Sequence, residues 1–168
     1  MDKYLEKYKL YVEDHRKKVK LAFKLLYPFI SHNMDLNKED LEQLKVNIDN
    51  HDKSKFDEEE NTANAYAEFY YCENVDDEIL ENFENAVRLH KINNPHHINY
   101  WHTRNQEMPT IYLIEMFCDW WSFSFAKNDP MEILDWYNKN KESINLRDKE
   151  IETIQKLLTF VKTLDKQK

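Results

Sequence analysis

Histidines and carboxylates recur along three-quarters of this chain in an order that suits metal binding. They are His15, the pair His51-Asp52, His90, the pair His96-His97, and Asp119. Most of them continue the apolar stripes of four predicted helices, so their polar groups face a shared interior. A buried carboxylate is costly without compensation, and a metal ion satisfies carboxylates and neutral imidazoles together. The pattern therefore predicts a metal site inside a helical bundle.

The 168 residues contain no glycine. P-loops, dinucleotide-binding GxGxxG turns and glycine-rich kinase loops all need glycine for close approach of the backbone to phosphate, so these functions are excluded. Tight two-residue hairpins are also disfavoured. With 41% hydrophobic and 14% aromatic residues, the chain can still build a full core. We therefore expect an all-α protein with one domain over residues 1–168.

Charge and segment composition restrict the partners and the compartment. A net charge of −8 opposes binding to a nucleic-acid polymer, although a small phosphorylated substrate remains compatible with a bound cation. Cys72 and Cys118 have no CxxC context and are expected to be reduced thiols. No signal peptide is recognisable, and the apolar stretch 111–126 is interrupted by acids and too short for a bilayer. A cytoplasmic protein without membrane association is expected.

Apolar periodicity and capping signals predict about seven helices. The first covers 2–27 and is expected to end at Pro28, and the second begins after Asn37 and carries its stripe on to His51-Asp52. Asp57 is the expected cap of the third helix, and segment 92–108 is predicted to be irregular. The remaining helices are expected after Asp76 or Asp77, after Pro109, from Asp129-Pro130 to about Lys139, and over roughly 146–164.

The ordered set of histidines and acids resembles the HD-domain superfamily of metal-dependent phosphohydrolases. HDKSK at 51–55 is similar to the HDxxK form of HD-GYP phosphodiesterases, although the glycine-bearing GYP element is missing. HDKSKF, HKINNPHHINYW and EMFCDW resemble segments of an uncharacterised family of small bacterial and phage HD-like proteins. The resemblance covers about residues 10–125 and implies an HD-like bundle on which the C-terminal helices pack.

The resemblance also implies a set of ligands. The residues that would hold one metal are His15, His51, Asp52 and Asp119. His90 with His96 or His97 would hold a second ion, and Asp52, also a catalytic candidate, would bridge both. Because adjacent residues are not expected to point the same way, one of His96 and His97 is expected to support a ligand or to be exposed. The cofactor would be one or two divalent ions of Mn, Fe, Ni, Co, Mg or Zn.

Four further residues are candidates for catalysis or substrate binding. Lys55 matches the lysine of HDxxK and would steady a phosphate, with an exposed loop lysine as the alternative. Glu115 lies one turn before Asp119 and would orient a ligating histidine, with a cap or salt bridge as the alternative. Trp101 could stack a base and Arg104 could pair with phosphate, although packing is the favoured role of Trp101. The tyrosines interpreted as core residues are Tyr66, Tyr70 and Tyr71.

Three functions are compatible with such a site. The leading hypothesis is a phosphohydrolase that acts on a nucleotide or another small phosphorylated molecule through metal-activated water. Consistent with that chemistry, the sequence contains no GxSxG motif and no Cys-His pairing. One alternative is an HD-fold di-iron oxygenase, and another is a non-enzymatic phage-type accessory or inhibitor protein with a structural metal. Substrate identity and oligomeric state stay open.

Overall fold

All regular elements are helical within residues 3–165, the part of the chain that the computed structural model describes. The α-helices are α1 (Lys3–Asn33), α2 (Lys38–Asn50), α3 (Ala63–Tyr71), α4 (Asp77–Asn93), α5 (Ile98–His102), α6 (Thr110–Ala126), α7 (Glu132–Ile144) and α8 (Asp148–Asp165). A 3-10 turn covers Lys53–Phe56. The all-α prediction is confirmed, and α5 adds a short helix within a segment predicted to be irregular. None of the helices described is long and apolar enough to cross a membrane.

The core consists of two apolar clusters, both of which contain part of α1. The smaller cluster packs the N-terminal half of α1 against α3 and α4, through residues such as Tyr8 and Val12. The larger cluster starts at Val19 and packs the C-terminal half of α1 against α2, α6, α7 and α8. His15 lies between Val12 and Val19 on the buried face of α1. A polar residue therefore occupies the boundary between the two clusters.

Helix α1 continues through Pro28 to Asn33, so the prediction that it ends at Pro28 is wrong. A proline inside a helix removes a backbone hydrogen bond and costs about 3 kcal/mol. Packing beyond the proline offsets this cost, because Ile30 is fully buried and the Phe29 ring stacks on Phe160 with centroids 4.8 Å apart. Tertiary contacts therefore decide where this helix ends.

Asparagine and aspartate replace glycine where the backbone needs a positive φ. The residues with positive φ in the described range are Asp52, Asn61, Asn105, Asn128 and Asn145. Short polar side chains tolerate this left-handed region better than other non-glycine residues do. Asn145, at φ 58° and ψ 48°, ends α7 in the conformation that glycine usually provides.

Several predicted helix starts are confirmed. Asn37 caps α2 in a reciprocal capping box with Asp40, as its side chain accepts from the Asp40 backbone N–H and the Asp40 carboxylate accepts from that of Asn37. The Asp76 carboxylate accepts from the backbone N–H of Ile79 at the start of α4. Helix α6 follows Pro109 as expected.

Two other predicted starts are wrong. Helix α3 begins at Ala63 rather than after Asp57, because the intervening loop turns the Glu60 carboxylate inward, where it takes part in interior hydrogen bonds. Helix α7 starts two residues later than an Asp129 cap predicts, and it runs past Lys139. The Asp129 carboxylate instead accepts a backbone hydrogen bond within the preceding turn.

Candidate metal centre

Four helices and one loop bring all seven predicted ligands together. The contributions are His15 from α1, His51 and Asp52 from the end of α2, His90 from the last turn of α4, His96 and His97 from the loop before α5, and Asp119 from α6. They fall into three overlapping groups, in each of which the donor atoms lie within 4.8 Å of one another. Buried His and Asp groups in this arrangement could hold a metal ion.

The backbone changes direction at the His51-Asp52 pair. Helix α2 ends at Asn50; His51 takes φ −46° and ψ 130°, and Asp52 takes φ 60°. This corrects the expectation that the helical stripe continues through both residues. A left-handed aspartate costs about 1–2 kcal/mol, and such strain is typical of functional positions. The turn lets two adjacent side chains converge, with His51 Nε2 3.9 Å from Asp52 Oδ1.

The first group joins His15, His51 and Asp119. Asp119 Oδ1 lies 3.1 Å from His15 Nε2 and 3.7 Å from His51 Nε2. A tetrahedral cation with bonds of about 2.0–2.1 Å places its ligand atoms about 3.4 Å apart. The spacing within this group is therefore close to what one cation requires.

The second group joins His90, His96 and His97. The His97 ring centroid lies 4.9 Å from that of His90 and 4.3 Å from that of His96. The alternative that one of the adjacent pair is exposed is therefore wrong, because His96 is buried and so is the Nε2 atom of His97. Strict alternation of side chains holds for extended strands, whereas the chain here bends through a turn.

Asp52 lies between the two groups and faces each with a different oxygen. Its Oδ2 atom is 3.6 Å from His15 Nε2. Its Oδ1 atom is 3.0 Å from His90 Nε2 and 3.5 Å from His96 Nε2. One buried carboxylate is thus in contact with imidazoles from α1, from α4 and from the loop before α5.

Carboxylates fix the orientation of two imidazoles. His51 Nδ1 donates to Glu115 Oε1 at 3.1 Å, and His90 Nδ1 donates to Glu60 Oε1 at 2.6 Å. Because an ionised carboxylate only accepts, the proton of each neutral ring lies on Nδ1 and leaves a lone pair on Nε2. This is the arrangement in which metal-bound histidines are usually held. The hydrogen bond between His51 and Glu115 is the contact that the expected orienting role of Glu115 requires.

The hydroxyl group of Ser122 fixes the orientation of the His15 ring. Its Oγ atom donates to the backbone carbonyl of Asp119 at 2.6 Å and lies 3.0 Å from His15 Nδ1. Since a hydroxyl carries one proton, the second contact requires His15 Nδ1 to donate. The Nε2 lone pair of His15 is then directed toward the carboxylates.

The donor atoms and charges fit a cation. Within the described part of the chain, four buried imidazole nitrogens of the centre have no hydrogen-bond partner. They are the Nε2 atoms of His51, His90, His96 and His97. An unsatisfied buried polar atom costs about 1–3 kcal/mol, which a metal ligand bond would remove. Four acids (Asp52, Glu60, Glu115 and Asp119) also lie in or against the centre with one lysine, Lys55.

Burial and charge act in opposite directions on the acids and imidazoles. Burial raises the pKa of Asp52, but Lys55 and His51 outweigh it and hold the pKa well below its usual value. Burial lowers the pKa of His51, but Asp52 and Asp119 outweigh it and raise the pKa to about 10. For His97, burial dominates and lowers the pKa far below its ordinary value. The carboxylate of Asp52 stays ionised, whereas His51 takes up a proton wherever no metal competes.

Lys55 extends from the 3-10 turn into the same region. Its Nζ atom donates to Asp52 Oδ2 at 2.8 Å and lies 4.9 Å from the ring centroid of Tyr66. Its side chain is 12% exposed, so the alternative of a solvent-exposed loop lysine is wrong. Burial favours the neutral amine, yet the Asp52 carboxylate raises the pKa of Lys55. The lysine therefore remains a cation beside the candidate ligand Asp52.

Two cavities border the candidate metal centre, and their lining residues are almost entirely different. One of about 160 Å³ is lined by Tyr8, Tyr11, His15, Asp52, Lys55, Tyr66, Tyr70, His90, Lys91, His97, Asp119 and Phe123. Another of about 170 Å³ is lined by Asn47, Asn50, His51, Asp52, Ser54, Asn94, Pro95, His96, Tyr112 and Glu115. A larger cavity of about 600 Å³ lies between α7 and α8 and contains none of the candidate ligands. Chemistry rather than size therefore marks the candidate site.

Comparison with known proteins places the chain in a family without a known activity. Residues 5–160 match the family model described as Family of unknown function (DUF5662). The chain belongs to this family. No curated protein and no solved structure matches the sequence.

Two substrate-binding candidates of this DUF5662 member lie away from the cavities at the centre. Trp101 packs against the larger apolar cluster, and its Nε1 atom donates to the backbone carbonyl of Pro95. Arg104 is exposed, stacks on Tyr100 with its Cζ atom 3.8 Å from the ring centroid, and donates to the backbone carbonyl of Ile92. Neither residue lines either cavity at the ligands.

The DUF5662 chain also uses residues that sequence reasoning missed. Ser122 lies one turn after Asp119, so its position was a usable signal. Tyr11 lies one turn before His15 on α1, so its spacing was also a usable signal. Tyr70, interpreted as core, is 51% exposed and lines the cavity. For Glu60 the sequence carries no signal, because it follows two other glutamates in a loop and its partner lies on another helix.

Proposed function

We propose that this protein is a metal-dependent phosphohydrolase that acts on a small phosphorylated substrate, such as a nucleotide, through metal-activated water. The observation that carries the proposal is the buried donor set around Asp52, with unpartnered Nε2 atoms beside an open cavity. The resemblance of the ordered His and Asp motifs to HD-domain phosphohydrolases supports the same activity. The excess of carboxylates supports a divalent rather than a monovalent cation.

The donor groups accommodate one or two ions of Mn, Fe, Ni, Co, Mg or Zn. The residues of the first position would be His15, His51 and Asp119, and those of the second would be His90, His96 and His97. Asp52 faces both groups and would bridge two ions. A bound ion supplies Lewis acidity and lowers the pKa of water from about 16 to about 7.

The chain's own residues would perform the remaining tasks. Lys55 is a buried cation at the cavity and would neutralise a phosphate oxygen. Glu115 and Glu60 would hold the rings of His51 and His90 so that both Nε2 atoms stay directed at the ligand positions. Catalysis would then need no covalent nucleophile from the protein.

Access to the centre favours catalysis over a purely structural metal. Structural metal sites are closed by protein ligands, whereas catalytic sites keep an open position. In this protein a cavity of about 160 Å³ is bordered by Asp52 and Asp119, and the Asp119 side chain is 13% exposed. A metal that only stabilises the fold would not need this opening.

The abundance of imidazoles supports a second candidate, a di-iron oxygenase. Five histidines and two aspartates form a donor set that also suits iron. Elemental analysis after anaerobic purification, together with oxygen uptake, separates the two activities. Iron with oxygen-dependent turnover favours the oxygenase, whereas hydrolysis that proceeds without oxygen favours the phosphohydrolase.

The experiment that tests the leading proposal is a phosphate-release screen. The protein is loaded with each metal in turn and offered phosphomonoesters, phosphodiesters and nucleotides. Asp52→Asn, which tolerates the left-handed backbone, should abolish metal retention and turnover, while Asp57→Asn in the exposed loop should preserve both. Hydrolysis by metal-free Asp52→Asn at the parental rate would refute the proposal.

A further inference from the structure

Three exposed aromatic side chains surround the cavity at the metal centre. Tyr11 is 43% exposed, Tyr70 is 51% exposed and Phe123 is 45% exposed, and all three line this cavity. We call these three residues the aromatic rim. Large aromatic side chains that cluster in the open at a cavity indicate a binding surface, whereas isolated ones do not. The Phe123 ring also contacts His15, with centroids 5.1 Å apart, so the rim reaches the ligands.

The tyrosines of this region form a cluster in which the buried Tyr8 ring contacts three others, while the rings of Tyr11 and Tyr70 lie 6.1 Å apart at 41°. The Tyr8 ring lies 5.5 Å from Tyr66 at 9°, 6.0 Å from Tyr11 at 22°, and 6.2 Å from Tyr70 at 20°. Tyr8 and Tyr66 are buried, so the exposed members are Tyr11 and Tyr70. Offset stacking operates at centroid separations of about 4.5–7 Å. Another flat ring could therefore pack against the exposed ring of Tyr11 or Tyr70.

The buried tyrosine Tyr66 of this cluster lies close to the candidate metal ligands. Tyr66 faces the Lys55 ammonium at 4.9 Å, and that ammonium donates to Asp52 at 2.8 Å. A second lysine, Lys91, is exposed and lines the same cavity. One cavity is thus lined by two lysines, of which Lys55 contacts a candidate ligand, and by three exposed aromatic rings.

We propose that the aromatic rim binds the planar ring of a phosphate ester whose phosphate lies at the metal centre beside Lys55. The inference rests on the proposed phosphohydrolase activity for the position of the phosphate. It adds that the three residues of the rim select the substrate by its planar ring. A heteroaromatic base and a simple phenyl group share the required chemistry. A non-planar sugar or aliphatic chain contacts the rim without gaining offset stacking.

The test compares three esters of primary alcohols on the metal-loaded protein, so that their leaving groups match: adenosine 5′-monophosphate, benzyl phosphate and ribose 5-phosphate. The two esters with a ring should have a kcat/KM about tenfold or more above that of ribose 5-phosphate, the effect of one stacked ring. Tyr70→Ala should remove this preference through KM, whereas Tyr70→Phe should keep it. The ratio of kcat/KM between the first two esters shows whether the rim binds a base or a phenyl ring better.

Leu10→Ala is the matched control, because Leu10 is 66% exposed beside Tyr11 and does not line the cavity. The proposal is overturned if the wild type does not distinguish the three esters, or if Tyr70→Ala slows all of them equally. If none is hydrolysed, the phosphohydrolase proposal fails by itself, and calorimetric binding of the same probes decides the role of the rim. Tighter binding of the two ring-bearing esters, lost in Tyr70→Ala, supports it; equal or absent binding overturns it.

Discussion

Nε2 of His90 lies 3.0 Å from Oδ1 of Asp52 without the geometry of a hydrogen bond. The Nδ1 atom of the same ring donates to Glu60, so the Nε2 lone pair of the neutral ring faces an ionised oxygen. This arrangement is repulsive unless a proton or a metal ion lies between the two atoms. Burial lowers the pKa of His90, but Asp52 and Glu60 outweigh it and raise the pKa. Protons and metal therefore compete for the same nitrogen.

Metal binding should release protons at neutral pH. The pKa of His51 is raised to about 10, so its ring carries a second proton at neutral pH until a metal displaces it, and the raised pKa of His90 acts in the same direction. Apparent metal affinity should consequently keep rising with pH up to about 10, the pKa of His51 in the metal-free protein. Calorimetric titration in buffers of different ionisation enthalpy measures the released protons. Identical heats in all buffers would show that the rings carry no exchangeable proton.

Removing the carboxylate behind His90 should weaken metal binding. Glu60→Ala deletes the acceptor of His90 Nδ1 and should lower affinity by about 10–100-fold, as measured by competition with a chelator. Glu60→Gln keeps an acceptor oxygen and should restore part of the affinity. Glu59→Ala, an exposed neighbour, is the control. Wild-type affinity in Glu60→Ala would mean that this contact does not position the ligand.

Metal should also stabilise the fold, because its ligands come from separate helices. At a free metal concentration of 100 times Kd, the gain is about 2.7 kcal/mol, which corresponds to about 5–11 °C in Tm for a chain of this size. Chelation should reverse the shift in thermal unfolding experiments. Asp119→Asn, which removes one ligand oxygen of the first group, should reduce the shift, and an undiminished shift would place the metal elsewhere.

Replacing the left-handed asparagine after α7 should cost stability. Asn145→Ala places a β-carbon in an unfavourable backbone region and should lower the free energy of unfolding by about 1–2 kcal/mol. Asn145→Gly should be neutral or slightly stabilising. Asn138→Ala, exposed within the same helix, should not destabilise the protein. Urea denaturation of the three variants tests this, and equal stability of the two Asn145 variants would contradict it.

Residue type and helical phase were sufficient to predict which histidines and aspartates the fold brings together. Residues such as His15 and Asp119 share an apolar stripe with core residues, so each helix that packs correctly directs them inward. Helix ends were predictable where a cap is local, as at Asn37. At Pro28 the end depends on packing against α8, which a local pattern does not contain.

The supporting contacts were less accessible from the sequence. Glu60 and His90 are brought together only by the path of the loop before α3, which no periodic signal describes. The four-residue spacing of Tyr11 and His15 places both side chains on the same face of α1. Periodicity does not show where a buried face reaches a cavity, so the exposure of Tyr11 needed the tertiary structure. The local sequence shows which residues share a helix face, whereas the tertiary structure determines where that face is exposed at a cavity.

The most direct test of the metal centre is the metal content of the purified protein, measured by elemental analysis with Asp52→Asn and Asp57→Asn in parallel. The account predicts one or two divalent ions per chain in the wild type and in Asp57→Asn, and none retained by Asp52→Asn. It would be contradicted by a folded wild-type protein that binds none of Mn, Fe, Ni, Co, Mg or Zn, or by equal metal content in all three proteins.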